Sequence, residues 1–391
     1  MLPAMKPSPN SSLDALRREL HALPELSGAE AGTAACLREV LLPCEPVRLL
    51  DGLAGHGLAA VFEAADETAG LTVALRAELD ALPIQEISNH PHASRREGVG
   101  HLCGHDGHMT ALVGVAMARR ERPLKRGRLV LLFQPAEETG LGARGVCEDP
   151  RWVDLSVDHC YAIHNLPGYP LGQVLVRNGV FTAGSVGLII RLQGRTAHAA
   201  YPEQGLSPGL AMSRLVPGLV SLPAHLEVEE RLCLVTVVHA RLGDVAFGTS
   251  PGQAEIMCTL RADSETGLSD LRRAATELAR AEADRDGLTC ELEWVEEFPV
   301  TENDDLAVAV TERAAQRVNL TVDEPRESPF RWSEDFGWLT RETCGALVGL
   351  GSGVDQPVLH APDFDYPDVL TPLAVNLYEG ILAELGLVPP P

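Results

Sequence analysis

Basic residues are scarce in this sequence, long apolar runs are missing, and the cysteines form no pattern; each shortage removes a class of protein. Lys and Arg together number 32 against 55 Asp and Glu, a formal net charge of -23. Binding to nucleic acid or to an anionic membrane surface depends on Lys and Arg neutralising phosphates, so neither is an expected partner. No apolar stretch approaches the roughly 20 residues of a membrane span. The opening "MLPAMKPSPNSSLDALRREL" lacks the basic, apolar, small-residue order of a secretory signal, which makes the cytoplasm the expected compartment. The nine cysteines, at 36, 44, 103, 147, 160, 233, 258, 290 and 344, are odd in number and scattered. That spacing fits small buried thiols in a reducing compartment rather than a disulfide framework.

What is present is a chain of 391 residues, 45% apolar, too long for one ordinary core. Residues 12–41 carry a helical pattern broken at Pro24. Short apolar runs follow, "LAAVFEA", "LTVALRAELDALP", "GRLVLLFQPAEE", "DHCYAIHNLP" and later "CGALVGLGSG", with the helix "MTALVGVAMARR" among them. Strands alternating with helices predict a mixed, largely parallel α/β sheet covered on both faces. After Asn178 the pattern becomes β-α-β-β-α-β, the split unit of ferredoxin-like α+β sandwiches. The expected division is a first domain of residues 1–179 and 297–391 with a second, 180–296, inserted into it.

Polar residues of catalytic type follow each apolar run: Glu78 and Asp80, Glu137 and Glu138, His164, His360. Open α/β sheets bind ligands outside the carboxyl ends of their strands, so these groups can meet in one crevice. The stretch "HLCGHDGHMT", residues 101–110, adds His101, Cys103, His105, Asp106 and His108. Thiolate, imidazole and carboxylate are the ligand set of zinc and its first-row neighbours. Ligands arriving from distant strands favour an open catalytic site over a closed structural one, and a helix starting near Asp106 would stabilise a thiolate at Cys103. In "FQPAEE", two adjacent carboxylates in a buried loop repel each other unless one binds a cation and the other holds a proton part of the time. One Glu can then ligate while its neighbour acts as general base toward a water that the cation has acidified.

Eight ordered segments, "LRRELHALPELSGAE", "RAELDALPIQE", "HLCGHDGHMTALVGVA", "FQPAEETGLGAR", "HNLPGYPLGQV", "GRTAHAAYPEQG", "SEDFG" and "LHAPDFD", closely resemble the metallopeptidase-like amidohydrolases of the peptidase M20 family. That group includes aminoacylases, hippurate hydrolases, auxin-conjugate hydrolases and N-acetyldiaminopimelate deacetylase. The resemblance spans residues 13 to 385 and implies a zinc-exopeptidase-like catalytic domain with an inserted lid or dimerisation domain. It implies two divalent metal ions, with Mn, Zn, Co and Ni all compatible. Cys103 matches a bridging thiolate, His105, Glu138, His164 and His360 the other metal ligands, and Glu137 the general base. His198 matches a histidine that stabilises the oxyanion, sometimes across a dimer interface. Related branches carry a His-x-Asp motif where this chain has Glu78-Leu79-Asp80, which gives Asp80 a supporting role. His101, His108 and the acids of "SEDFG" receive no assigned role, and Asp106 reads as a helix cap or a partner of a ligating histidine.

The implied activity is hydrolysis of the amide bond of a small N-acyl amino acid or related amide, with a homodimer formed through the inserted domain. One departure bears on specificity. Members often carry Asn in an "A-x-N-x-x-P" stretch that helps hold the substrate, and here "AFGTSP" places Gly248 there. Three alternatives stay open: a dipeptidase or carboxypeptidase on the same scaffold, a metal-binding relative without catalysis, and a Cys103 nucleophile acting with a histidine, which would leave Glu138, His164 and His360 without work.

Overall fold

The computed structural model describes residues 12–65, 70–226, 232–323 and 328–390; the Pro/Ser-rich start of the chain lies outside them. The chain divides into two compact units, one of Met1–Phe181, Thr301–Ser328 and Asp335–Pro391, the other of Thr182–Val300 and Pro329–Glu334.

In the first unit a seven-stranded sheet runs in the spatial order Arg48–Leu53, Gly57–Glu63, Arg128–Gln134, Thr72–Glu78, His159–Pro167, Cys344–Gly353, Val174–Leu175. The neighbours Arg128–Gln134, Thr72–Glu78, His159–Pro167 and Cys344–Gly353 are mutually parallel, and the flanking strands are antiparallel. Thr72–Glu78 is buried at every position, as the unbroken run "TVALRAE" requires of a strand covered on both faces. Helix Leu13–Ala22 packs against His105–Glu121, which packs against Leu370–Glu384, which packs against Asp305–Arg317. Ser12 begins the first of these, its side chain accepting from the Ala15 N–H, and the Asp304 carboxylate caps the last. Leu20, Leu37, Leu75, Leu112, Leu131, Val348, Leu377 and Ile381 are buried in one core. Each such side chain contributes about 1.5–3 kcal/mol of transfer free energy. This core fixes the strand ends, and the polar residues that follow them, in place.

The second unit is a four-stranded antiparallel sheet, ordered Cys233–Leu242, Gln253–Ala262, Gly184–Gln193, Thr289–Phe298. Helices Gly209–Ser221 and Glu265–Asp286 cover one face, giving the β-α-β-β-α-β order. Gln253–Ala262 alternates buried and less buried positions along its length, the signature of a sheet with one covered face. Its core joins Ile190, Ile256, Leu215 and Leu271, all fully buried. Replacing Ile256 with Ala is expected to lower the stability of this unit by about 2–5 kcal/mol, read as a lower urea midpoint in equilibrium unfolding.

Candidate metal centre

The first unit gathers its titratable groups where its parallel strands end. Glu78 closes one strand, Asp80 follows it, Glu137 and Glu138 follow the next, and His164 lies near the end of His159–Pro167. Cys103 and Gly104 lead into helix His105–Glu121, with His105 as its first residue. Gly104 has φ +98°, and a Cβ there would collide with the Asn165 side chain, so this entry to the helix requires glycine. His360 arrives on the loop after Cys344–Gly353, in the left-handed region at φ +67°, with its N–H donating to the Leu102 carbonyl at 2.8 Å. A non-glycine residue held there is a strained position that the surroundings must maintain.

Three overlapping groups form: Cys103, His105 and His164; Cys103, Glu138 and His360; His105, Glu137 and Glu138; within each, the ligand-type atoms all lie within 4.8 Å of one another. Cys103 Sγ is 3.5 Å from His164 Nε2. His105 Nε2 is 3.8 Å from Glu137 Oε2 and 3.9 Å from Glu138 Oε1, and His360 Nε2 is 3.8 Å from Glu138 Oε1. The Nδ1 atoms of His105 and His164 donate to the carbonyls of Asp80 and Asn165, both at 2.9 Å, so each Nε2 turns a lone pair inward. His105 is fully buried, and its Nε2 has no hydrogen-bond partner. Burial disfavours its imidazolium, yet Glu78, Glu138 and Asp80 outweigh that and raise its pKa. A field that draws a proton to a buried nitrogen also draws a metal cation, so the donors present fit divalent ions.

Behind these groups stands a second layer of buried charge. Asp80 Oδ2 accepts from Ser27 Oγ at 2.7 Å and from the Glu138 N–H at 2.9 Å. Arg76 binds Glu78 and reaches Asp335 Oδ1 at 2.7 Å. Asp335 also accepts from Gln134 Nε2 at 2.9 Å and from the Ala143 N–H at 2.8 Å, bracketing the loop that carries Glu137 and Glu138. That gives an acid of "SEDFG" a structural task. His108 donates Nδ1–H to Glu78 Oε2 at 2.7 Å, while Arg76 and His108, against the opposing effect of burial, hold the Glu78 carboxyl well below the usual range.

Asp106 neither caps its helix nor touches His105; it accepts from His21 Nδ1 at 2.8 Å and lies 3.4 Å from Arg17 Nη1. His101 is fully buried with neither ring nitrogen hydrogen-bonded, and burial pushes its pKa down to about 3. Another clustered trio, His90, His92 and Asp365, is already served by a cation: the Arg17 guanidinium binds Asp365 and lies 3.2 Å from His92 Nε2.

His198 and Gly248 belong to the second unit. His198 pairs with Thr249 in a two-residue ladder, and its Nδ1 accepts from the Ala200 N–H at 3.0 Å, which places the ring proton on Nε2. The Gly248 carbonyl accepts from the Ala199 N–H, and a Cβ at Gly248 would meet nothing within 4 Å.

Imidazole, thiol and paired carboxylates converging at the open end of a parallel α/β sheet define the class of metal-dependent hydrolases. The chain belongs to peptidase family M20/M25/M40, whose sequence profile matches residues 74–384. It is 32% identical over 357 residues to an N-acetyl-L-cysteine deacetylase of Bacillus subtilis, covering 89% of this chain and 82% of the relative. An N-acetyldiaminopimelate deacetylase of Exiguobacterium sibiricum is 26% identical over 94% of this chain and 98% of its own. The crystal structure of a dinuclear metal binding peptidase of the M20 family from Bacillus subtilis superposes with a TM-score of 0.77 at 28% identity, covering 96% of this chain and 97% of that one.

The buried cluster of His21, Asp106 and Glu86 carries a pH signature. Burial opposes the His21 charge, but the two carboxylates prevail and push its pKa up from 6.5 to about 10. The imidazolium therefore stabilises the fold fully below pH 6.5, and that contribution fades as pH rises to about 10. His21→Ala is expected to lower stability at pH 6, because the Asp106 and Glu86 carboxylates lose its charge and keep only Arg17, Ser88 and Ser94. It should also flatten the alkaline decline, as read by urea unfolding at several pH values.

Proposed function

We propose that the protein hydrolyses the amide bond of small N-acyl amino acids, with Glu137 as general base and Cys103, His105, Glu138, His164 and His360 as holders of two divalent cations. The observation that carries this reading is the buried His105 Nε2, without a hydrogen-bond partner and flanked by the Glu137 and Glu138 carboxylates at 3.8 and 3.9 Å. Those cations, when bound, would polarise the acyl carbonyl and acidify the attacking water. Glu137 takes the proton of that water and passes it to the leaving amine. Glu138, its backbone N–H held by Asp80, lies beside His105 and His360 as a ligand. His198, with its proton on Nε2, is the donor for the oxyanion that forms as the carbonyl is attacked, a role that contributes roughly 2.7–4 kcal/mol where a donor is well aimed.

Relatives named as deacetylases of N-acetylcysteine and N-acetyldiaminopimelate support an N-acyl amino acid as substrate. The ligand set accepts Mn, Zn, Co or Ni. No helix among the described residues is long and apolar enough to cross a membrane. Among the described residues no cysteine forms a disulfide, which suits a reducing, cytoplasmic compartment. We further assign the inserted unit a role in pairing two copies of the chain.

The deciding experiment is hydrolysis of N-acetyl, N-benzoyl and dipeptide substrates by chelator-treated protein, with each metal added back singly. Metal-restored cleavage of N-acyl substrates is expected, and Glu137→Gln should lower kcat by about 10²–10⁴-fold while still binding metal. Full turnover in that variant would remove the base assignment, and cleavage restricted to peptides with a free amino group would replace the amidohydrolase with a dipeptidase. Gly248→Asn, for which the space is open, is expected to lower KM for substrates with a free α-carboxylate and to leave N-acyl amides lacking it unaffected.

A further inference from the structure

We propose that Glu30 is a positioning residue for the Glu137–Glu138 pair: its buried side chain holds the Ala136 N–H and so fixes the left-handed turn that brings both carboxylates to one side. The proposal rests on the reading of Glu137 and Glu138 given above.

In an extended strand successive side chains point to opposite faces. Glu137 and Glu138 are consecutive, yet both reach within 4 Å of His105 Nε2. The chain achieves this by leaving strand Arg128–Gln134 and placing Ala136 at φ +50°, a conformation that L residues with a Cβ avoid. Such a turn persists only where its surroundings over-determine it. Its carbonyl side is closed by the N–H of Gly142 at 3.1 Å and by Thr139 Oγ1 at 3.3 Å. Its N–H side is closed by Glu30 Oε1 at 2.8 Å, a contact across 106 positions of sequence.

Glu30 occupies the N-cap position of helix Ala31–Leu41 but makes no side-chain hydrogen bond to that helix. A fully buried carboxyl at a helix start that does not cap it is committed elsewhere, and the Ala136 N–H is where it goes. Burial first, and Asp80 after it, hold the Glu30 carboxyl above its usual pKa against the backbone N–H groups that favour its charge.

Glu30→Ala is expected to weaken Mn or Zn binding, read by competition with a chromogenic chelator, and to lower kcat, each by about 10- to 100-fold, with KM moving less. Adding Ala136→Gly to that variant is expected to recover part of both losses, because glycine adopts positive φ without steric cost. Glu30→Gln keeps a carbonyl acceptor and should stay near the wild type. Wild-type metal affinity and kcat in Glu30→Ala would overturn the proposal. So would a loss that neither Ala136→Gly nor Glu30→Gln repairs, which would make Glu30 an ordinary packing residue. If Glu30→Ala yields no folded protein, Glu30→Met against Glu30→Gln makes the same comparison at conserved volume. Glu137→Gln run alongside separates the two readings: its full turnover would remove the base, while metal affinity in the Glu30 series would still report on the turn through Glu138.

Discussion

The carboxyl end of the central sheet is organised around a surplus of buried negative charge. Glu78, Asp80, Glu137 and Asp335 are buried there, with Glu138 partly so, and the one guanidinium among them, Arg76, is committed to Glu78, Asp335 and Gln134. Removing charges from water costs several kcal/mol for each ion unless partners replace the solvent. His108 answers Glu78, and the backbone N–H groups of Glu138 and Ala143 answer Asp80 and Asp335. Glu137 and Glu138 stand beside His105, whose Nδ1 proton points away to the Asp80 carbonyl. Carboxylates and imidazole nitrogens gathered in this way are the electrostatic setting that the proposed cation site draws on.

The same surplus explains why backbone conformation at the site is so tightly held. Carboxylates left to themselves would spread apart, so placing them together needs turns that the local sequence does not favour. Ala136 and His360 both sit at positive φ without being glycine, and each is tied by its N–H to an acceptor far away in sequence, Glu30 and Leu102. A left-handed residue of this kind costs roughly 1–2 kcal/mol. The stability for that comes from the apolar packing beneath, where the parallel strands are buried on both faces. The core and the site are thus one construction, since the rigidity of the first supports the strain of the second.

This division also determines how much could be read from the sequence. The strands were legible because burial on both faces leaves unbroken apolar runs, and the second unit because a half-covered sheet alternates. The polar residues after each run pointed to the site by the rule that parallel sheets bind at their carboxyl ends, and the ordered motifs supplied the family. The supporting layer was not legible. Asp106 was expected to serve its own helix or a neighbouring histidine and instead faces His21 and Arg17; nothing in the spacing carries a contact across 85 positions. Glu30 stood inside a recognised motif without a task, because its partner is a backbone N–H, and sequence does not mark backbone partners. Only a helix start bearing an acid that caps nothing hints at such a commitment, and that sign needs coordinates to be seen.

On the function proposed above, the first unit's own charges leave little to hold a substrate carboxylate. An N-acyl amino acid brings a carboxylate, and within the first unit it meets acids and an arginine already committed. Its positive or hydrogen-bonding partner must come from the bound cations or from outside that cluster. His198 and the Gly248 segment lie on adjacent strands of one small ladder, where the carbonyl of Gly248 is occupied by the Ala199 N–H. Gly248 leaves that ladder intact, because the contact is made by its backbone and not by a side chain, so the backbone supporting His198 is kept. A residue without a side chain at that place thus preserves the ladder and leaves the space beside it open.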